Sequence, residues 1–126
     1  MYLMITTTQS LRIALVGPCS SGKSTLATVL KNIGYEVRQV AQEHSYVPNM
    51  WQRISKPNIL IYLDVDYAAA RARRPFIDGG PQRVAMQQYR LRHARQHCDF
   101  YLNTSDLTPD QVQQQVLDFL QEFGNR

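Results

Sequence analysis

Long apolar runs are missing from this chain. No segment approaches the roughly 20 consecutive apolar residues that cross a bilayer, so no membrane span is expected. Cysteine is scarce, with Cys19 and Cys98 the only two in 126 residues. That is too few for a disulfide framework. Met1 to Ser10 lacks both a basic start and a sustained apolar core, which argues against a secretory signal. A flexible N-terminal extension over 1–10 is expected instead, with Tyr2, Leu3 and Ile5 against a sheet edge. Acidic residues are few, 10 against 14 Lys and Arg. The imbalance is local: seven arginines lie between Arg71 and Arg95 with Asp78 alone to oppose them. A basic block of this kind suits polyphosphate, with nucleic acid as the other class of polyanion to weigh. At 44% hydrophobic and 19% charged residues, the rest reads as one globular domain over 11–126.

Glycine is sparse too, yet Gly17 and Gly22 frame Gly17-Pro18-Cys19-Ser20-Ser21-Gly22-Lys23-Ser24, which fits G-x-x-x-x-G-K-[ST] throughout. An apolar run, Arg12–Val16, precedes it. Lys23 to Ile33 follows, with Leu26, Leu30 and Ile33 on one helical face and Gly34 at the stop. Strand, glycine turn and helix is the setting of a phosphate-binding loop. Backbone N–H groups of Gly17 to Thr25 would cradle a nucleotide's phosphates. Lys23 would reach the β- and γ-oxygens, and the Ser24 hydroxyl would ligate Mg²⁺. ATP or another nucleoside triphosphate with Mg²⁺ is the expected ligand, and a nucleotide site with unpaired thiols points to the cytoplasm.

Strands are expected at Arg12–Val16, Glu36–Ala41, Asn58–Asp64 and Asp99–Asn103. Helices are expected at Lys23–Ile33, Tyr67–Arg74, Pro81–Gln96 and Pro109–Phe123. Strict alternation implies a three-layer α/β/α domain around a mostly parallel sheet of about four strands. Thr108, Pro109 and Gln111 read as N-cap, N1 and the partner of a capping box. His44 to Pro57 has room for one short helical piece at the ligand-binding edge of the sheet.

Beyond the loop, carboxylates and arginines supply the candidate chemistry. Asp64 closes an apolar strand, where an aspartate often serves Mg²⁺; capping of the next helix is the competing role. Glu43 follows the second strand, placed to accept a proton from an acceptor hydroxyl or to order the metal's waters. His44 beside it offers acid–base chemistry, or packing. Trp51 would stack on a base or fill the core. Arg71, Arg73 and Arg74 end a helix before Pro75, and Arg71 and Arg74 share a face suited to clamping phosphate. Phe76 to Gly80 reads as a flap. Arg83, Arg90, Arg92 and Arg95 read as a solvated face. Cys19 reads as a small residue tolerated in the loop.

With these residues in place, the chain resembles the nucleoside and nucleoside-monophosphate kinases of the P-loop NTPase fold, thymidylate and deoxynucleoside kinases above all. Pro57 to Val65 is similar to their fourth strand, Arg71 to Arg74 to the start of their lid, and Tyr89 to His97 to the helix that follows. Asn103 to Asp106 falls where their last strand meets the loop beneath the base, which implies that Asn103 and Ser105 contact nucleotide. Glu43 and Trp51 resemble the base and tryptophan of deoxynucleoside kinases. Only Gln52 to Lys56 stand where that group carries its acceptor segment and a catalytic arginine. The resemblance implies a small kinase-like phosphotransferase or ATPase using Lys23, Glu43, Arg71 and Arg74, with a small-molecule acceptor. The alternative is a nucleotide-binding switch or partner module without efficient turnover, in which a protein partner or second copy would supply the missing arginine. Nucleic-acid binding ranks last, since only Phe76 and Tyr89 interleave the arginines.

Overall fold

A computed structural model of the protein describes residues 11–75 and 79–124. Four strands, β1 (Arg12–Val16), β2 (Glu36–Gln39), β3 (Ile59–Asp64) and β4 (Phe100–Asn103), form a single parallel sheet in the order β2-β1-β3-β4. Register sets Ile13 opposite both Val37 and Ile59, and Ile61 opposite Phe100. Six α-helices accompany the sheet: α1 (Lys23–Ile33), α2 (Met50–Ser55), α3 (Tyr67–Arg73), α4 (Gly80–Arg90), α5 (Arg92–His97) and α6 (Pro109–Gly124).

Alternation along the central strands sends side chains to two cores. Ile13, Leu15, Ile59, Ile61 and Leu63 meet Leu26 and Leu30 of α1 and Val112, Val116 and Leu120 of α6. Ala14, Val16, Leu60 and Tyr62 meet Trp51 of α2 and Leu91 and Ala94 beside and within α5. Helices therefore cover both faces, which is why β3 is apolar almost throughout. Burial and the Asp64 carboxylate push the Tyr62 phenol well above its ordinary range. Among the described residues no helix is long and apolar enough to cross a membrane.

Several boundaries depart from expectation. The second strand stops at Gln39; Val40 still donates to Leu15 O at 3.0 Å before the chain turns through a 3₁₀ segment, Gln42–His44. The helix expected over Pro81–Gln96 is two helices that break at Leu91. There the Leu91 N–H is shared by Gln87 O and Gln88 O at 3.1 Å, and Leu91 is fully buried against the sheet. Ile33, expected on the core face of α1, is 53% exposed, because three further residues carry it past the edge set by Leu30. Of the expected flap, Phe76 to Asp78 lie outside the described residues, while Gly79 caps α4 and Gly80 opens it. The expected extension over 1–10 lies outside them as well.

The capping box is present. Gln111 N–H donates to Thr108 Oγ1 at 3.1 Å, and Thr108 N–H donates to Gln111 Oε1 at 2.9 Å. Gly17 carries a steeper requirement: at φ +153°, a Cβ there would stand 1.9 Å from the Leu63 carbonyl oxygen and 2.8 Å from Ser21 Oγ. Gly17→Ala is expected to lower the unfolding free energy by at least about 3 kcal/mol, and Thr108→Ala by about 1 kcal/mol. Urea unfolding of both variants measures the contrast.

Candidate functional site

The strands end at one edge of the sheet, and the chain from Gly17 to Gly22 wraps over the end of β1 there. Ser20 at φ 70° and Gly22 at φ 101° turn the backbone in the left-handed region and lead into α1. No side chain caps α1, and its first turn holds no acidic residue. Its leading N–H groups thus face a cleft without a negative group of the helix's own, the arrangement that attracts anions. The cleft is a cavity of about 340 Å³ whose walls include Cys19 to Thr25, Gln39, Glu43, Arg73 and Arg74.

Lys23 is part of its wall. Its Nζ donates to Gly17 O and lies 2.7 Å from Glu43 Oε2, with both side chains largely buried at 11% and 7% exposure. The 3₁₀ turn after β2 carries Glu43 to this place. That turn is pinned by Gln42, which is fully buried, accepts from Trp51 N–H at 2.8 Å and donates to Val47 O at 2.7 Å. Arg90 donates to Glu43 O at 3.3 Å. The second carboxylate oxygen, Glu43 Oε1, is buried with no hydrogen-bond partner among the described residues. Ser24 Oγ donates to Gln39 Oε1 at 3.1 Å and borders the same cleft.

No protein-family model matches this chain, and no curated protein does. The site's chemistry rests on its own geometry.

Of the expected site residues, Gly17 to Thr25, Lys23, Ser24 and Glu43 come together. Arg74 also borders the cleft. Asp64 does not join them. Its carboxylate accepts from Tyr101 O–H at 2.6 Å, from Gln88 Nε2 at 3.2 Å and from its neighbour Val65 N–H at 2.9 Å, so it faces α4 and β4. Burial, followed by the hydrogen bond to Asp64, raises the Tyr101 phenol above its usual range. Arg71 donates to the Tyr67 hydroxyl oxygen at 3.1 Å and lines a smaller pocket beside Cys19 and Ser20 rather than the cleft wall. Asn103 and Ser105 serve local structure: Asn103 Oδ1 accepts from Ser105 N–H, and Ser105 Oγ accepts from Asp66 N–H, each at 2.9 Å. Asp66 caps α3 by accepting from Ala69 N–H at 2.8 Å. Trp51 is in the core at 5% exposure, its Nε1 donating to His93 Nδ1 at 3.2 Å.

Arg73, one of the three arginines expected before Pro75, and Thr104 hold the loop. Arg73 donates to Ser20 O at 2.7 Å, to Thr104 Oγ1 at 3.1 Å and to Thr104 O. Thr104, buried at 1% exposure, places its hydroxyl 2.9 Å from Ser21 O and 3.0 Å from Asp64 O. Together they fasten the glycine turn to the end of β4. Both also border a second cavity of about 410 Å³, whose walls include Ser21, Thr25, Leu26, Val29, Leu107 and Val112. The Arg71–Arg74 run signalled a basic element in the sequence, and of its three arginines Arg73 and Arg74 border the cleft while Arg71 does not. Thr104 carried no signal beyond its place after a strand.

The Lys23–Glu43 pair is buried on both sides, so removing one partner strands the other charge. Lys23→Met and Glu43→Leu are each expected to cost about 3 kcal/mol. The double variant should cost less than their sum by at least about 1 kcal/mol. Urea unfolding of the four proteins checks this; simple additivity would show that the pair does not interact.

Proposed function

We propose that this chain is a P-loop protein of the nucleoside-kinase type that binds a nucleoside triphosphate with Mg²⁺ between the glycine turn and α6. One observation carries the reading: a lone lysine at an open glycine turn, over an uncapped helix N-terminus, with a half-satisfied carboxylate at 2.7 Å. A phosphate group fits that place chemically. Backbone N–H groups of Ser20 to Thr25 would hold its oxygens, and Lys23 would exchange Glu43 for them.

The donor set also suits Mg²⁺, which prefers oxygen ligands and keeps several waters. Ser24 Oγ would bind the ion directly and Glu43 would hold its waters, one of the two roles expected of Glu43 from sequence. The ion would neutralise charge on the phosphates. Glu43 is also the group placed to receive a proton from an acceptor hydroxyl or a water.

The base would lie in the 410 Å³ cavity, which shares Ser21, Gly22, Thr25 and Arg73 with the phosphate cleft. Its walls combine Leu26, Val29, Leu107, Pro109 and Val112 with the polar Ser21, Thr25, Arg73, Thr104, Asp110 and Gln113, so apolar contact and hydrogen-bonding groups are both available to a heterocycle. A nucleotide-binding switch with little turnover is the second reading, and the arginines favour it. Arg73 is committed to the loop's own carbonyls and Arg71 to Tyr67, which leaves Arg74 to meet charge at a transferring phosphoryl group.

Calorimetric titration with ATP and with GTP, each with Mg²⁺, tests binding. Saturable association is expected, weakened at least about tenfold (1.4 kcal/mol) by Lys23→Ala. No association at millimolar nucleotide would contradict the proposal. Release of phosphate, or its transfer to a nucleoside panel, separates the two readings.

A further inference from the structure

Cys19 enters the phosphate loop where a small residue would suffice, yet its thiol is not idle. Its Sγ lies 3.7 Å from His44 Nε2, and His44 Nε2 lies 3.8 Å from Glu43 Oε2. One ligand atom from each of the three residues falls within 4.8 Å of the other two. Zinc holds sulfur at about 2.3 Å and nitrogen or oxygen at about 2.0 to 2.2 Å, which sets ligand atoms of one tetrahedron about 3.4 to 3.6 Å apart. The Cys19–His44 and His44–Glu43 separations, 3.7 and 3.8 Å, already stand close to that spacing.

Two further observations point to an occupant. Glu43 Oε1 is buried without a hydrogen-bond partner among the described residues, on a side chain only 7% exposed. A cation held by the Glu43 carboxylate would match charge that Lys23, bonded to Oε2, meets from one side only. Gln87, buried on α4, holds Cys19 from both ends: its Oε1 accepts the Cys19 N–H at 2.9 Å and its Nε2 donates to Sγ at 3.3 Å. Outer groups of this kind orient a metal-binding side chain.

We propose that Cys19, Glu43 and His44 form a site for a zinc-class divalent ion at the mouth of the phosphate cleft. A thiolate, an imidazole and a carboxylate together suit Zn²⁺ or Co²⁺, whereas Mg²⁺ and Ca²⁺ call for oxygen throughout. Three protein ligands leave one tetrahedral position for water. This goes beyond the nucleotide reading, because the ion would bind with no nucleotide present.

The test is Co²⁺ titration of the nucleotide-free protein, followed by displacement with Zn²⁺. One equivalent of Co²⁺ is expected to give the near-ultraviolet band of sulfur-to-cobalt charge transfer, and Zn²⁺ to abolish it. Cys98→Ser should keep the band and Cys19→Ser should lose it. His44→Ala, at a half-exposed side chain, should weaken binding by at least about tenfold. Circular dichroism confirms that the variants fold, and His44→Ala carries the test if Cys19→Ser does not. Absence of the band in the parent protein, its persistence in Cys19→Ser, or unchanged affinity in His44→Ala would overturn the proposal. Because no nucleotide is used, none of these results bears on the triphosphate site.

Discussion

The ion pair between Lys23 and Glu43 joins two parts of the chain that the sheet alone would leave independent. Lys23 opens α1 and also reaches back to the Gly17 carbonyl, so it closes the glycine turn on itself. Glu43 belongs to the exit of β2, and its position depends on the buried amide of Gln42 and on Arg90 above it. A buried charge is costly unless it is matched. Here each member makes the other's burial tolerable, and the turn, β2 and α4 are held in register. On the function proposed, an arriving phosphate would offer Lys23 a stronger negative partner and return Glu43 to the metal's waters or to a proton.

A second fastening works from the other side. Arg73 and Thr104 bind the carbonyls of Ser20 and Ser21, so the turn is gripped through its acceptors. Two of its N–H groups are engaged as well, Cys19 with Gln87 Oε1 and Ser21 with Pro18 O, which leaves the uncapped N–H groups at the start of α1 as the donors for an anion. The close approach of Gly17 to the Leu63 carbonyl fixes where the turn begins, since any larger residue would lift it off β3. Main-chain geometry, more than side-chain charge, therefore shapes the cleft.

Much of this was legible in the residues. Apolar runs located β1 and β3, the spacing of Leu26 and Leu30 gave α1, and the Thr108–Gln111 pattern gave the start of α6. Each of these is a local signal. What escaped was set by long-range partners. Asp64 ends an apolar strand as a metal-binding aspartate would, but Tyr101 and Gln88, far away in sequence, claim its oxygens. Leu91 breaks a helix that has no proline or glycine beyond its first turn, at a residue fully buried against the sheet. Gln42, Gln87, Arg73 and Thr104 belong to no motif, and only the folded chain brings them to the loop.

The central claim is that the N–H groups of this turn receive phosphate. Amide proton–nitrogen spectra recorded while pyrophosphate and then ATP with Mg²⁺ are added would test it residue by residue. The account predicts the largest displacements at Ser20 to Thr25, with Leu107 and Val112 moving only when the base is present. Displacements confined to the arginines of α4 and α5, with the turn unmoved, would contradict it.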